Sequence, residues 1–132
     1  MATTIRTDLI SALTTSLSTS NVSVSSELPF ISGDSPLYVK NMKKLYLDEE
    51  SEDVTELFNL LDNNDVYQTE TTVNAYVCVD AKTQPGDIGT VVQSVLDAKT
   101  SIANAVIREC SVENEYQDDK IIYTFEYRFI TV

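Results

Sequence analysis

Histidine and tryptophan are absent from this 132-residue sequence, and glycine is scarce. Without histidine, the chain lacks the commonest general base and the commonest metal ligand of proteins. Without tryptophan, it lacks the strongest anchor of protein–protein contacts, although seven tyrosines remain. The three glycines fit no phosphate-binding or dinucleotide-binding pattern. These absences argue against an enzyme, and they predict neither a metal site nor a bound cofactor.

Long apolar runs are also missing from the sequence. A membrane-spanning helix needs about 20 apolar residues, so no association with a membrane is expected. The first residues lack the basic and apolar regions of a signal peptide, which predicts a protein that stays in the cytoplasm where it is made. Cys78 and Cys110 lie among apolar residues of predicted strands. They are expected to be buried reduced thiols, with a disulfide between neighbouring strands as the alternative.

Basic residues are few: nine Lys and Arg stand against 21 Asp and Glu, which gives a net charge of −12. Proteins that bind specific nucleic acid sequences usually carry a basic stripe, and none is visible here. An acidic surface keeps a protein soluble and repels DNA. The negative charge therefore disfavours specific nucleic acid binding. It suits a protein whose surface DNA passes without binding to it.

The length and composition of the sequence indicate one domain covering 1–132. Apolar types make up 42% of the chain, which is enough for a core without a metal or disulfide. Apolar periodicity predicts helices at 3–17 and 88–104, a short helix near 54–61, and strands at 37–48, 66–80, 105–116 and 120–132. Asp87 is the predicted N-cap of the second long helix. The predicted fold is α+β, with a mainly antiparallel four-stranded sheet and two long helices packed on one face.

Two segments leave alternatives open. The Ser/Thr-rich segment 18–36 reads as a long connection, or it contains a short strand at 22–24. A run of acidic residues follows at Asp48, Glu49, Glu50, Glu52, Asp53 and Glu56. This acidic run is typical of a solvated loop or a helix start, and it could also contact a basic partner. A calcium site is disfavoured, because the run contains no glycine for the required turn.

Two passages resemble the tail terminator proteins of tailed bacteriophages. One is the strand-loop-helix passage TVNAYVCVDAKTQP at 72–85, and the other is the closing strand YTFEYRF at 123–129. The order of helix, long loop, strands, helix and terminal aromatic hairpin is similar as well. The Ser/Thr-rich segment 18–36 departs from the family.

The resemblance implies a ring, commonly a hexamer, that caps the tail tube and joins it to the head-tail connector. It implies subunits packed side by side around a channel through which DNA passes. The implied location is the tail or neck of the virion, with assembly in the host cytoplasm. The implied partners are copies of the chain itself, the tail tube protein and the connector protein, and the role is structural.

An interface is predicted from strand parity. Asn74 and Tyr76 lie on the face of strand 66–80 opposite to the predicted core, and Tyr127, Arg128 and Phe129 lie in the last strand. The last strand carries apolar groups on both faces. We therefore expect helices to cover one face and a partner to cover the other.

Other functions remain open from the sequence alone. A second phage component, such as a head-tail stopper or a tube protein, shares the same general features. A small acidic cytoplasmic module could instead bind or inhibit a basic protein. An enzyme would need a pocket with convergent polar groups, and no motif in the sequence points to one.

Overall fold

The computed structural model describes residues 5–26, 44–58, 66–82, 86–117 and 119–131. Within these residues the chain forms two α-helices, α1 (Ile5–Ser16) and α2 (Ile88–Asp97), and a 3-10 helix, Ala98–Ser101, directly follows α2. The strands are β1 (Ser23–Ser25), β2 (Lys44–Leu47), β3 (Ser51–Phe58), β4 (Val66–Asp80), β5 (Ile107–Gln117) and β6 (Lys120–Thr131).

Over the described parts of the chain the strands form one six-stranded mixed sheet, so the predicted four-stranded, mainly antiparallel sheet is wrong. The order is β1-β2-β4-β6-β5, and β3 also pairs with β4. β1 runs parallel to β2, whereas the other pairs are antiparallel. The helices are short, with 12 residues in α1 and 10 in α2, so the prediction of two long helices is also wrong. The α+β class itself is retained.

Both helices bury their apolar side chains against the same face of the sheet. Leu9 and Leu13 of α1 and Val91 and Val95 of α2 are fully buried. They share a core with odd-numbered residues of the central strands, namely Val73, Ala75, Val77, Val79, Ile121, Phe125, Tyr127 and Phe129. The outer positions of α1 carry Ser and Thr, which are weak helix formers, so burial of its leucine stripe is what stabilises this helix.

β2 and β3 are two parts of one interrupted strand that runs along β4. Leu47 is opposite Ala75 and Ser51 is opposite Thr72, so four steps on one strand match three on the other. An insertion of one residue in an antiparallel pair is a β-bulge, which bends the strand and increases its twist. The acidic residues 48–50 form this bulge.

Arg6 of α1 holds the bulge in place. Its Nε donates to the Asp48 carbonyl at 3.0 Å, and its Nη2 donates to the Leu47 carbonyl at 3.0 Å and to the Ser26 carbonyl at 3.1 Å. The Asp48 N–H donates to the Asn74 carbonyl at 2.8 Å. One guanidinium therefore binds carbonyl groups at the end of β2, in the bulge and just after β1.

Asp87 occupies the N-cap position of α2, but its side chain makes no capping hydrogen bond to the helix. Its carboxylate instead accepts hydrogen bonds from the Asn21 backbone N–H and the Asn21 Nδ2, both at 3.0 Å. These bonds lower the pKa of the Asp87 carboxyl. They also connect the start of α2 to the segment that leads into β1.

The positions of several elements follow the sequence predictions. The strand predicted at 66–80 is β4, Val66–Asp80, and the two last strands lie within two residues of their predicted bounds. The alternative of a short strand near 22–24 is confirmed by β1. Of the strand predicted at 37–48, β2 is confirmed, and residues 37–43 lie outside the described part of the chain.

The short helix predicted near 54–61 is wrong where the structure describes it, because residues 51–58 form β3. The helical spacing of apolar residues was misleading, since Val54 is 59% exposed and does not belong to a buried stripe. β3 forms because the first half of β4 offers a long edge for pairing, from Thr72 back to Val66. Pairing of this kind depends on tertiary context and leaves little trace in local sequence.

Candidate interaction surface

Two of the predicted interface residues, Tyr127 and Phe129, lie in the core. Both side chains are fully buried on the helix-covered face, and their rings are stacked with centroids 6.0 Å apart. The Tyr127 hydroxyl donates a hydrogen bond to the Val95 carbonyl of α2. Burial raises the pKa of the Tyr127 hydroxyl, so it remains a donor. The two residues join β6 to the helix layer.

Tyr76 is buried on the opposite face of the sheet. It lies directly across from Tyr46 of β2, and 6% of its surface is exposed. Burial raises the pKa of its hydroxyl. Cys78 and Ile122 are paired with each other on the same face and are also buried. One end of this face is therefore apolar and closed to solvent.

The other end of the same face is charged and ordered around Arg128. Its Nε donates to Glu70 Oε1 at 2.7 Å and its Nη2 to Glu70 Oε2 at 3.4 Å, while Nη1 donates to Glu109 Oε2 at 3.3 Å. Glu70 lies on β4 and Glu109 on β5, so this ion-pair network spans three neighbouring strands. Bidentate pairing fixes the guanidinium plane, and it raises the pKa of Arg128.

Asn74 lies beside a shallow polar depression on this charged end. The depression has a volume of about 250 Å³ and is lined by Asn74, Ser111, Glu113, Thr124 and Glu126. Asn74 is half-buried, whereas Glu113 and Glu126 are exposed. Of the five predicted interface residues, Asn74 and Arg128 are thus the two that reach the accessible part of this face.

The predicted acidic loop is divided between the bulge and β3. Residues 48–50 form the bulge, whereas Glu52, Asp53 and Glu56 belong to the strand. Glu52 and Asp53 are exposed, and strand alternation directs them to opposite faces. The interpretation as one solvated loop is therefore wrong for residues 51–56, although the described side chains at 51–53 do face water.

A second depression, of about 360 Å³, lies between the helices on the other side of the molecule. Its lining is made of small and hydroxyl-bearing residues and one acid: Ala12, Ser16, Ser94, Asp97, Ala98, Thr100 and Ser101. The Asp97 carboxylate accepts a hydrogen bond from Gln93 at 3.0 Å. A hydroxyl nucleophile needs an adjacent general base, and the one carboxylate of this lining, Asp97, is exposed to solvent.

Both cysteines are free thiols. Cys78 is buried and Cys110 is half-buried, and burial raises the pKa of the Cys110 thiol to about 12. Such thiols remain protonated at neutral pH, and the thiolate is the form that attacks substrates and binds metals. Within the described ranges, no group of three or more Cys, Asp or Glu side chains could hold a metal ion.

Sequence reasoning missed the acids of β5, which define this surface as much as Arg128 does. Glu109, Glu113 and Glu115 alternate along the strand and therefore share a face. Their equal parity within 107–117 is the signal that could have identified them. Together with Glu126 they make the accessible part of this face acidic.

No helix among the described residues has the length and apolar character that crossing a membrane requires. Comparison of the sequence with protein-family models gives no match, and comparison with curated proteins gives none either.

Proposed function

We propose that this protein is a structural assembly protein of the phage tail terminator type. In this role copies of the chain form a ring, taken as a hexamer, that caps the tail tube and contacts the head-tail connector. The starting point is the resemblance of residues 72–85 and 123–129 to that family. The location that follows is the tail or neck of a virion, with assembly in the host cytoplasm.

The observation that best supports this proposal is the accessible charged face of the sheet. Arg128 is held there by Glu70 and Glu109 before any partner binds, with both Arg128 and Glu70 side chains 35% exposed. Ordered side chains lose little conformational freedom on association, which favours a surface that binds another protein. A ring uses a heterologous contact, so this face would meet a different surface of the next subunit.

The chemistry of the described residues supports a structural role over a catalytic one. The depression between the helices presents hydroxyl groups and one exposed carboxylate, and the depression on the sheet is lined by carboxylates that face water. Neither lining includes histidine, the commonest general base of proteins. An acidic protomer also suits a channel through which DNA passes without specific contacts, because counterion release requires basic side chains.

The proposal is tested by the mass of the protein in solution, measured by light scattering on a sizing column. A hexamer, or a ring that forms on addition of tail tube protein, is the expected result. Electron microscopy of tube mixtures then separates a terminator, which caps tube ends, from a tube protein, which extends them. A monomer that never binds tube ends would overturn the proposal.

Arg128→Glu tests whether the charged face forms the subunit contact. This change places a third carboxylate beside Glu70 and Glu109, so we expect loss of the ring. Lys82→Glu is the matched control, because it makes the same charge change at an exposed residue after β4. Equal ring stability in the two variants would place the subunit contact elsewhere.

A second candidate function is a small module that binds or inhibits a basic protein. The alternating acids of β5 favour it, because acidic surfaces attract basic partners and speed their association. The expected sign of this function is a monomer that forms a stoichiometric complex with its partner and never a ring.

A further inference from the structure

β5 forms an edge of the sheet. Its register pairs all of Ile107–Gln117 with β6, and among the described residues no strand pairs with its other side. Half of the backbone N–H and C=O groups of an edge strand point away from its neighbour and are free to pair with another chain. At 11 residues, this edge is long for a globular protein.

The side chains along this edge are acidic on one face. Glu113 and Glu115 are exposed, and Glu109 follows the same alternation nearer to Arg128. Glu126 adds a carboxylate from the neighbouring strand, opposite Ser111. Among the described residues of β4, β5 and β6, the basic side chains on this face are Arg128, which Glu70 already engages, and Lys120 at the hairpin end. The middle of the edge therefore has an unbalanced negative charge.

The other face of the same edge is apolar at two positions. Val112 is half-buried against the core, and Tyr116 is 69% exposed although it is a large aromatic residue. Tyr116 directly follows Glu115, so the acidic and aromatic side chains alternate across the end of the strand. An added strand would meet carboxylates on one face and apolar side chains on the other.

Pairing with a second copy of β5 is disfavoured by charge. Two antiparallel copies of one strand place residues of equal parity opposite each other. Registers centred on Ser111, Val112, Glu113 or Asn114 each set at least one glutamate directly against another. Like charges in directly opposite positions destabilise a sheet. The registers with the longest overlap are therefore unfavourable, and the acidic side chains disfavour pairing of β5 with β5 of a second copy.

We infer that the β5 edge binds an extended basic segment of a partner protein as an additional antiparallel strand. The partner segment has Lys or Arg at two alternate positions, opposite Glu113 and Glu115, and apolar residues at the flanking positions opposite Val112 and Tyr116. Backbone hydrogen bonds to β5 supply affinity, and the two charge pairs with the apolar contacts select the sequence.

β3 is a second edge of the sheet, but it does not fit such a segment. Its acids Glu52 and Asp53 point to opposite faces, and its register shifts between Glu56 and Phe58. An alternating basic strand would meet a carboxylate on one face at one position and on the other face at the next. This difference makes β3 the natural control for β5.

The inference stands apart from the proposed ring. A ring that caps tubes but ignores basic strands would contradict the inference alone. A monomer that binds basic strands through β5 would contradict the ring alone, and it would favour the binding module.

The test uses three labelled peptides of about the length of β5. The first alternates Lys and Val, the second alternates Glu and Val, and the third is the first with its central Val replaced by Pro. We expect the Lys-Val peptide to bind by fluorescence anisotropy and to slow amide hydrogen exchange at 107–117. The Glu-Val peptide should not bind, and the Pro peptide should bind about tenfold more weakly, because proline removes a ladder hydrogen bond.

Glu113→Gln/Glu115→Gln should weaken Lys-Val binding about three- to tenfold, which is the effect of two cross-strand charge pairs. Glu52→Gln/Asp53→Asn removes the same charge from β3 and should leave binding unchanged. Equal binding of the Pro peptide, equal loss in the two double variants, or exchange protection outside β5 would each overturn the inference. Any of these outcomes would show attraction by net charge alone.

Discussion

The two faces of the sheet differ in what they contact and therefore in what they do. The helix-covered face is mostly apolar where the helices pack on it, with Val73, Ala75, Phe125 and Phe129 fully buried. The opposite face changes character along the strands, from a buried apolar end to a charged end around Arg128. Burial of apolar surface is the main source of folding free energy, so the first face determines the fold. The second face presents exposed charged side chains that are accessible to a partner.

The largest effect is expected from Phe125→Ala on the helix-covered face. This change removes a fully buried ring from the centre of β6 and should lower the free energy of unfolding by about 3–5 kcal/mol. Urea denaturation measures the loss. Thr124→Ala is the control, because the neighbouring side chain points to the other face and is half-buried; its effect should be about 0.5 kcal/mol. Similar losses would contradict the division between the faces.

Tyr127→Phe tests the polar contact within the apolar face. The variant keeps the ring and loses the hydroxyl that donates to the Val95 carbonyl. That carbonyl also accepts the Ala98 N–H, so it keeps one partner. We expect a loss of about 1 kcal/mol in denaturant unfolding. Tyr123→Phe, at a half-buried residue of the same strand, should change stability less, and the reverse order would contradict the assignment.

Arg128→Gln measures what the charged face contributes to the protomer itself. The ion pair with Glu70 is about one-third exposed, so its loss should lower stability much less than Phe125→Ala does. Thermal unfolding at low and high salt checks this, because screening should reduce the difference between variant and native protein. A loss as large as that of Phe125→Ala would mean that this face, too, determines the fold.

The smallest effect at neutral pH is expected from Cys110, which is half-buried on the helix side of β5. Burial raises its pKa from 9.0 to about 12, so the folded state favours the neutral thiol. The resulting stability is fully present below pH 9.0 and is lost as pH rises towards 12. Cys110→Ala should flatten the alkaline decline of stability in denaturant titrations. An unchanged pH dependence would contradict the shift.

The sequence predicted β4 almost to the residue, because its alternation is uninterrupted from 71 to 79. It missed β3 because Glu52, Asp53 and Val54 place polar or exposed residues on both faces, so no period marks the strand. It overestimated the second helix, since residues 98–101 form a 3-10 helix and apolar residues such as Ile102 continue beyond it. Local pattern thus identifies elements with one buried face, and it does not identify strands that exist through pairing.

The candidate surface was only partly predictable for a related reason. β6 has apolar residues on both faces, and parity alone does not say which face the helices cover. Parity therefore predicts Tyr127 and Phe129 at an interface, whereas both are fully buried in the core. Arg128 was identified by residue type, but its partners Glu70 and Glu109 come from strands far apart in sequence. Such groups meet only when the strand order is known.

The length of β4 has a consequence for how the molecule moves in water. Its 15 residues extend about 50 Å at the usual rise of a strand. A sphere with the radius of gyration usual for this chain length, about 14 Å, is only about 36 Å across. The described part of the chain is therefore elongated along β4, and this shape favours faster tumbling about that axis than across it. The N–H bonds of antiparallel strands lie perpendicular to the strands, so those of β4, β5 and β6 make similar angles with the long axis. The amides of these three strands should therefore have similar nitrogen-15 relaxation rates, whether they are buried or exposed.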